Sequence, residues 1–255
     1  NSAGVGRGLF KSVDGGRTWR DMGFGDSERI HRVLTHPTDP EVVYVGVLGP
    51  AWSDGQERGV YRTRDGGESW ERVLWQNERT GVADMVMDPT NPDKIFAAMW
   101  EFRRDPWFLT SGGVGSGLYV TYDGGDSWRR LTEADGMPPG ELGRIGVAVS
   151  ASNPDVVYAV VEAARSELIR SDDGGRSWTT INDDPGIVPR PFYYADIRVD
   201  PLNENRIYSL HSALQVSEDQ GRTWSTVVPS GIIHGDIHEL WIDPDDPRRM
   251  ILGED

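Results

Sequence analysis

Short apolar runs separated by turn signals recur along the whole chain. Four of them occupy 42–47, 94–99, 156–161 and 206–210. Each follows a turn that contains Asp-Pro or Asn-Pro, and a further apolar run precedes that turn. Because proline cannot continue a central strand and Asp or Asn caps a turn, this pattern predicts short strands joined by tight turns. No stretch requires a helix, so the pattern predicts an all-β chain.

An eight-residue motif, Ser/Thr-x-Asp-x-Gly-x-Ser/Thr-Trp, divides the chain into repeats of about fifty residues. Its copies occupy 12–19, 63–70, 121–128, 171–178 and 217–224. The aspartate can accept backbone N–H groups of a hairpin turn, and the glycine can adopt positive φ. We expect the aspartates to be structural and each tryptophan to be a buried anchor against a neighbouring unit. These structural residues are Asp14, Trp19, Asp65, Trp70, Asp123, Trp128, Asp173, Trp178, Asp219 and Trp224.

The motif resembles the Asp-box, also called the bacterial neuraminidase repeat. That repeat is found in sialidases, xyloglucan-cleaving glycoside hydrolases, photosystem II assembly factors and sortilin-type receptors. The chain is most similar to the sortilin-type and xyloglucanase-like (glycoside hydrolase family 74-like) group, and the resemblance covers essentially its whole length. It implies a β-propeller of four-stranded antiparallel blades. Gln220 replaces the glycine of the other copies, but Gly221 is kept, so we expect the turn to survive.

We expect one propeller domain, 1–255, with about five blades. The predicted blades occupy 29–73, 82–131, 144–181, 193–228, and a composite of 237–255 with 9–22. The composite blade would close the ring from both termini and remove exposed sheet edges. The alternative is that the chain is a segment of a larger propeller, cut within a blade at both ends.

Composition excludes several classes of function. The net charge of −15 argues against binding to nucleic acid, which needs a basic surface. No stretch approaches the apolar length of a membrane helix, so we expect no membrane span. Cysteine is absent, and no phosphate-binding glycine loop precedes a helix. We expect no cofactor. The resemblance alone implies an extracytoplasmic location, secreted or periplasmic.

The functional site is expected on the loop face, which we define as the propeller face opposite the Asp-boxes, because loops on a rigid scaffold often carry binding groups. The loop 99–117 combines aromatic rings with charges, which suits a sugar ring. The same rings could instead fold back as a small satellite core. The predicted ligand-binding residues are Trp100, Arg104, Trp107, Arg144, Tyr193, Tyr194 and His238.

Two further sets of polar residues stand near the starts of innermost strands. His234, Asp236 and His238 alternate, so they would share one side of a strand and resemble a metal constellation. The favoured alternative is a polar strand entrance, with no metal bound. Alignment on the turn prolines predicts a ring of mixed charges around the axis, of the kind that also lines water-filled channels. Its members are Arg32, Asp84, Asp196 and Glu239.

Glycoside hydrolysis needs two carboxylates about 5–5.5 Å or 6.5–9.5 Å apart. The catalytic candidates are Glu101, Asp236 and Asp255, and the sequence singles out no pair. Asp255 resembles the position of a catalytic aspartate in the xyloglucan-cleaving family. We favour a non-catalytic or catalytically incomplete binding or assembly module of a secreted or periplasmic bacterial protein. It would recognise a protein or glycan ligand, alone or within a larger protein or complex. The alternative is a xyloglucanase-like glycoside hydrolase.

Overall fold

The computed structural model describes residues 6–187, 189–193, 195–228 and 231–254. Within these ranges the sole helical element is a single 3₁₀ turn, Glu133–Asp135, and no helix is long and apolar enough to cross a membrane. Antiparallel strands form four complete sheets flanked by two separate hairpins. The predicted all-β propeller is confirmed, and each complete sheet is one blade.

The strands follow one another in chain order. The N-terminal hairpin contains β1 (Phe10–Lys11) and β2 (Arg20–Asp21). Blade 1 contains β3 (Ile30–Thr35), β4 (Val43–Val47), β5 (Gly59–Thr63) and β6 (Glu71–Leu74). Blade 2 contains β7 (Thr80–Met87), β8 (Ile95–Arg104), β9 (Leu109–Ser111), β10 (Gly117–Thr121) and β11 (Arg129–Arg130).

The second half of the chain repeats this plan. Blade 3 contains β12 (Ile145–Val149), β13 (Val157–Val161), β14 (Glu167–Ser171) and β15 (Thr179–Asn182). Blade 4 contains β16 (Asp196–Asp200), β17 (Asn203–Leu210), β18 (Leu214–Ser217) and β19 (Ser225–Val228). The C-terminal hairpin contains β20 (Ile237–Ile242) and β21 (Met250–Glu254). The innermost strands are β3, β7, β12, β16 and β20.

Each Asp-box is a hairpin corner held by its aspartate. Asp173 accepts the backbone N–H groups of Arg176 and Ser177, both at 2.9 Å. It also accepts the hydroxyls of Ser177 at 2.6 Å and Ser171 at 2.7 Å. The variable position after the aspartate has φ between 67° and 73° in the four glycine copies, and Gln220 takes φ of 70°. The turn therefore survives the glutamine, as predicted.

The Asp-box tryptophans join each blade to the one before it. Trp178 is 6% exposed and lies edge-on to a phenylalanine ring of blade 2. Trp128 packs in the cluster shared by blades 1 and 2, and Trp224 in the cluster shared by blades 3 and 4. Trp70 packs against Phe24 in the segment that precedes blade 1. One indole thus reaches backward across each of these interfaces.

The prediction of a buried anchor is wrong for Trp19, which is 63% exposed. Within the described ranges, no blade packs on the side of the N-terminal hairpin that carries Trp19. Among the described residues, the two terminal hairpins pair neither with each other nor with a complete blade. The composite blade of 237–255 with 9–22 is therefore not formed. The structure is a partial propeller, which agrees with the alternative that the sequence left open.

An ion cluster occupies the axis where the innermost strands meet, and Asp84 and Asp196 are its buried members. Arg32 on β3 contacts Asp84 at 2.7 Å, Asp196 at 3.3 Å and Glu239 at 3.2 Å. Burial opposes the charge of Arg32, but the three carboxylates outweigh it and raise the pKa of Arg32 above its usual value. The predicted ring of mixed charges is confirmed. Its carboxylates all contact Arg32 across the axis.

Candidate functional site

A cavity of about 640 Å³ opens on the loop face, where the innermost strands begin. All four blades and the C-terminal hairpin contribute to its wall. The lining residues are Arg29, His31, Leu48, Ala51, Trp52, Trp100, Phe102, Arg104, Leu109, Arg144, Phe192, Tyr193 and His238. Five of the seven predicted ligand-binding residues therefore surround one cavity: Trp100, Arg104, Arg144, Tyr193 and His238.

The aromatic wall of the cavity comes from β8, which is longer than predicted. The expected loop 99–117 instead begins as strand, because β8 continues to Arg104 and pairs there with β9. Alternate residues of a strand share one side, so Trp100, Phe102 and Arg104 all face the cavity. The rings of Trp100 and Phe102 stack 4.4 Å apart, and each residue is 5% exposed. The satellite core therefore forms around Trp100 and Phe102, which also build the cavity wall, whereas Trp107 and Phe108 of the same segment are exposed.

A second wall is the loop after β4, which the buried Arg58 holds in place. The Arg58 guanidinium donates to the carbonyl oxygens of Leu48 at 2.7 Å, Pro50, and Ser53 at 3.3 Å. It also lies 5.0 Å from the centre of the Phe102 ring. Burial lowers the pKa of Arg58 to about 10. This residue ties the loop that bears Ala51 and Trp52 to the wall formed by β8.

Arg144 connects the cavity to the ion cluster at the axis. Its guanidinium donates to Asp196 at 3.1 Å and to the carbonyl oxygen of Tyr193 at 2.8 Å. It also lies 5.7 Å from the centre of the Trp100 ring. The charge of Arg144 is therefore balanced, and its side chain fixes the positions of two neighbouring lining residues.

The remaining cations of the cavity differ in how their charge is compensated. Arg29 contacts the carboxylate of Glu28 at 3.0 Å. Arg104 lies 5.8 Å above the centre of the Trp52 ring. Within the described residues, Arg104 has no carboxylate partner, and no Asp or Glu lines the cavity. The described part of the cavity thus holds one arginine whose charge is not compensated, Arg104, although the chain has a net charge of −15.

His31 adds a neutral nitrogen to this wall. In the part of the chain that the structure describes, its Nε2 atom is buried and has no hydrogen-bond partner. Burial, followed by the nearby cations of Arg144 and Arg32, lowers the pKa of His31 to about 4. The imidazole is therefore uncharged at neutral pH. It can offer one ring nitrogen to a ligand without adding charge to the site.

Two predicted ligand-binding residues do not join the cavity. Trp107 lies between β8 and β9 and is 79% exposed, and it is not among the lining residues. Tyr194 lies outside the described residues. The sequence did not single out several residues that do line the cavity. An alignment of the blades could have found Arg29, since Arg29 and Arg144 each precede an isoleucine that starts an innermost strand.

The metal candidates are not brought together as a site. His234 is exposed, Asp236 is half-buried, and the His238 ring lies edge-on to Tyr193 at 5.1 Å. Across the described ranges, no group of three His, Cys, Asp or Glu side chains is placed to hold a metal ion.

The catalytic candidates lie off the cavity wall or outside the described residues. Glu101 alternates with Trp100 and Phe102, so it points to the other side of β8. There it accepts the N–H of Gly115 at 3.1 Å. Asp236 is not among the cavity-lining residues. Asp255 lies outside the described residues.

A family model matches the N-terminal part of the chain. The model described as sortilin, neurotensin receptor 3 (Sortilin-Vps10), matches residues 7–137. This match covers slightly more than half of the chain and includes the N-terminal hairpin, blade 1 and all strands of blade 2.

Individual relatives are more distant. The chain is 29% identical over 211 residues to an oligoxyloglucan-reducing end-specific xyloglucanase of Emericella nidulans, covering 69% of this chain and 24% of the relative. The chain therefore spans about a quarter of that curated relative's length. A solved ancestral GH74 enzyme superposes with a TM-score of 0.67 and 20% identity, covering 94% of this chain and 31% of its own. A solved structure of Ycf48 bound to D1 peptide superposes with a TM-score of 0.57 and 16% identity, covering 96% of this chain and 69% of the Ycf48 chain. These structures share the fold.

Proposed function

The chain belongs to the Sortilin-Vps10 family, and from that premise we propose that it is a binding or assembly module, non-catalytic or catalytically incomplete, whose loop-face cavity recognises a protein or glycan ligand. The observation that carries this proposal is the convergence of five predicted residues on one cavity of about 640 Å³. Clefts of this size, with an apolar wall and a few placed polar groups, are typical of ligand sites. Hydrolysis of a glycoside would need a carboxylate pair, and the described lining contains no carboxylate.

The relatives support both kinds of ligand and an extracytoplasmic location. A solved Ycf48 holds a D1 peptide, which supports a protein ligand. A photosystem II assembly lipoprotein, also a Ycf48, is 28% identical over 156 residues, which favours a secreted or periplasmic protein and a role in a larger complex. The xyloglucanase relatives act on a glycan, which supports a sugar ligand. The broad proposal therefore keeps both ligand classes.

The binding proposal is tested by calorimetric titration with three probes: xyloglucan oligosaccharides, galacturonic acid oligosaccharides and a short polyglutamate peptide. Trp52→Ala removes an exposed indole from the cavity, and Trp241→Ala removes an equally exposed one elsewhere, at 48% and 47% exposure. Truncating a tryptophan that contacts the ligand should weaken binding about tenfold or more. We expect saturable binding of at least one probe that is weakened by the first variant alone. Binding of no probe, or equal loss in both variants, would refute the proposal.

A glycoside hydrolase is the second candidate, favoured by the xyloglucanase relatives and by the exposed indoles of Trp52 and Trp107. The test is the release of reducing ends from xyloglucan by the wild type and by Glu101→Gln, Asp236→Asn and Asp255→Asn. Turnover that disappears in one of these variants would replace the binding proposal. Absence of turnover together with saturable binding would support the binding proposal.

A further inference from the structure

The polar side chains that line the cavity are three arginines, two histidines and one tyrosine, and none of them is acidic. They are Arg29, His31, Arg104, Arg144, Tyr193 and His238. Among the described lining residues there is no carboxylate, amide or aliphatic hydroxyl. Carboxylates and amides are the side chains that accept hydrogen bonds from neutral hydroxyl groups, whereas guanidinium groups only donate. The cavity therefore suits a ligand that brings its own acceptors.

One guanidinium in the cavity, that of Arg104, lacks a compensating negative charge among the described residues. Arg144 is balanced by Asp196 and Arg29 by Glu28, while Arg104 has no ion pair within the described residues. A neutral ligand that covered Arg104 would remove water from this cation and return no charge, which is costly. A ligand carboxylate would meet the planar guanidinium with two parallel hydrogen bonds. Charge complementarity thus favours an anionic ligand.

The aromatic groups define the rest of the ligand. Arg104 lies above Trp52, which remains 48% exposed, and Trp100 forms the adjoining wall. A flat indole beside a guanidinium fits a ring that has one apolar face and a carboxylate at its edge. Resting on the proposed binding function of this cavity, we propose that its ligand is an acidic glycan, a sugar chain that contains uronic acid residues.

An acidic peptide is the competing source of carboxylates. A peptide also presents backbone N–H groups, each of which needs an acceptor when it is buried. The described lining side chains supply almost no acceptors beyond imidazole and phenol. A uronic acid chain has hydroxyl groups that can remain in solvent at the open mouth while its ring face stacks. The cavity therefore favours the glycan.

The test compares ligands that differ only in charge. Calorimetric titrations would use galacturonic acid oligosaccharides and the same oligosaccharides after methyl esterification, which removes the charge. Neutral xyloglucan oligosaccharides, a sulfated oligosaccharide and the polyglutamate peptide complete the set. Arg104→Met removes the unpaired cation. Arg104→Lys keeps the positive charge but lacks the planar guanidinium that can form two parallel hydrogen bonds. Arg248→Met is the matched control, because the Arg248 side chain is 89% exposed and lies outside the cavity lining. Thermal unfolding verifies that each variant is folded.

We expect the uronate oligosaccharide to bind most tightly, with an affinity loss of about tenfold on esterification and about tenfold with Arg104→Met. Arg104→Lys should recover part of this loss, and added salt should weaken binding. Equal binding of the esterified or xyloglucan probe would overturn the inference and leave the proposed function standing. A preference for polyglutamate or for the sulfated sugar would also overturn it. If no probe binds, the inference and the proposed function both fail.

Discussion

Replacing Arg58 by methionine should destabilise the loop that carries Trp52 and loosen the cavity with it. The residue is fully buried, and its guanidinium is the shared donor to three carbonyl oxygens of the loop after β4. Methionine retains much of the aliphatic stem and the contact with Phe102 but donates no hydrogen bond. The substitution therefore isolates the polar contribution.

The size of the expected stability loss follows from the backbone carbonyl oxygens that lose their hydrogen-bond donor. Two of the three hydrogen bonds are buried, and each carbonyl stranded without a donor costs about 1–3 kcal/mol. Relief from burying the charge, which already depresses the pKa of Arg58, offsets part of this cost. We expect a loss of about 3 kcal/mol in the free energy of unfolding for Arg58→Met. Arg58→Lys should lose roughly half as much, because one ammonium cannot span all three carbonyls.

Urea unfolding measures the loss, and limited proteolysis reports whether the loop at 48–58 becomes the preferred site of cleavage. Arg248→Met is the control, since it removes an arginine from an exposed position. A change below about 0.5 kcal/mol for Arg58→Met, the range of ordinary surface substitutions, together with unchanged protease resistance, would refute the assignment of Arg58 as the residue that holds this wall.

Substitutions at four further residues test the propeller itself. Trp178→Ala should lower the free energy of unfolding, measured with urea, by about 3–5 kcal/mol, because its indole fills an interface between blades. Trp19→Ala should lower it by under about 1 kcal/mol, because the Trp19 indole is exposed. Equal losses in the two variants would contradict this prediction. Asp173→Ala should cost about 1–2 kcal/mol, as for a lost helix N-cap, and Asp173→Asn less. Although partial burial opposes ionisation, hydrogen bonds from Ser177 and Ser171 lower the pKa of Asp173 from 3.8 to about 2. The stabilisation by the Asp173 carboxylate is therefore complete above pH 3.8 and lost as the pH falls toward 2. Urea titrations at several pH values should show that the free energy of unfolding of Asp173→Ala changes less with pH over this range than that of the wild type. Arg32→Met should cost about 3–5 kcal/mol because it strands buried Asp84, and an unchanged unfolding midpoint would argue against the ion cluster.

The propeller was predictable because its determining signals are local. Asp173 binds groups within four residues of itself, so the eight-residue motif contains all that its corner requires. The ring of Arg32, Asp84 and Asp196 could also be predicted, since alignment of the blades on their turn prolines places equivalent positions at the same depth. Both signals repeat with the blades, and repetition makes them visible.

The exposed Trp19 and the shape of the cavity were harder to predict because they depend on distant parts of the chain. An Asp-box tryptophan is covered only when an earlier part of the chain packs on it, as Phe24 does on Trp70, and no local motif reports that. The continuation of β8 to Arg104 depends on pairing with β9, whose short run of three residues carries little strand signal. Arg58 has no motif at all, because its partners are backbone carbonyl oxygens.

The backward-reaching indoles have a consequence for how the protein is made. A ribosome releases the chain from its N-terminus, so every blade is synthesised after the surface on which its tryptophan docks. Each newly synthesised blade can pack at once on the blade made before it. Its packing does not depend on residues that are still to be translated. Since contacts in such arrays are mainly between neighbours, assembly can advance one unit at a time.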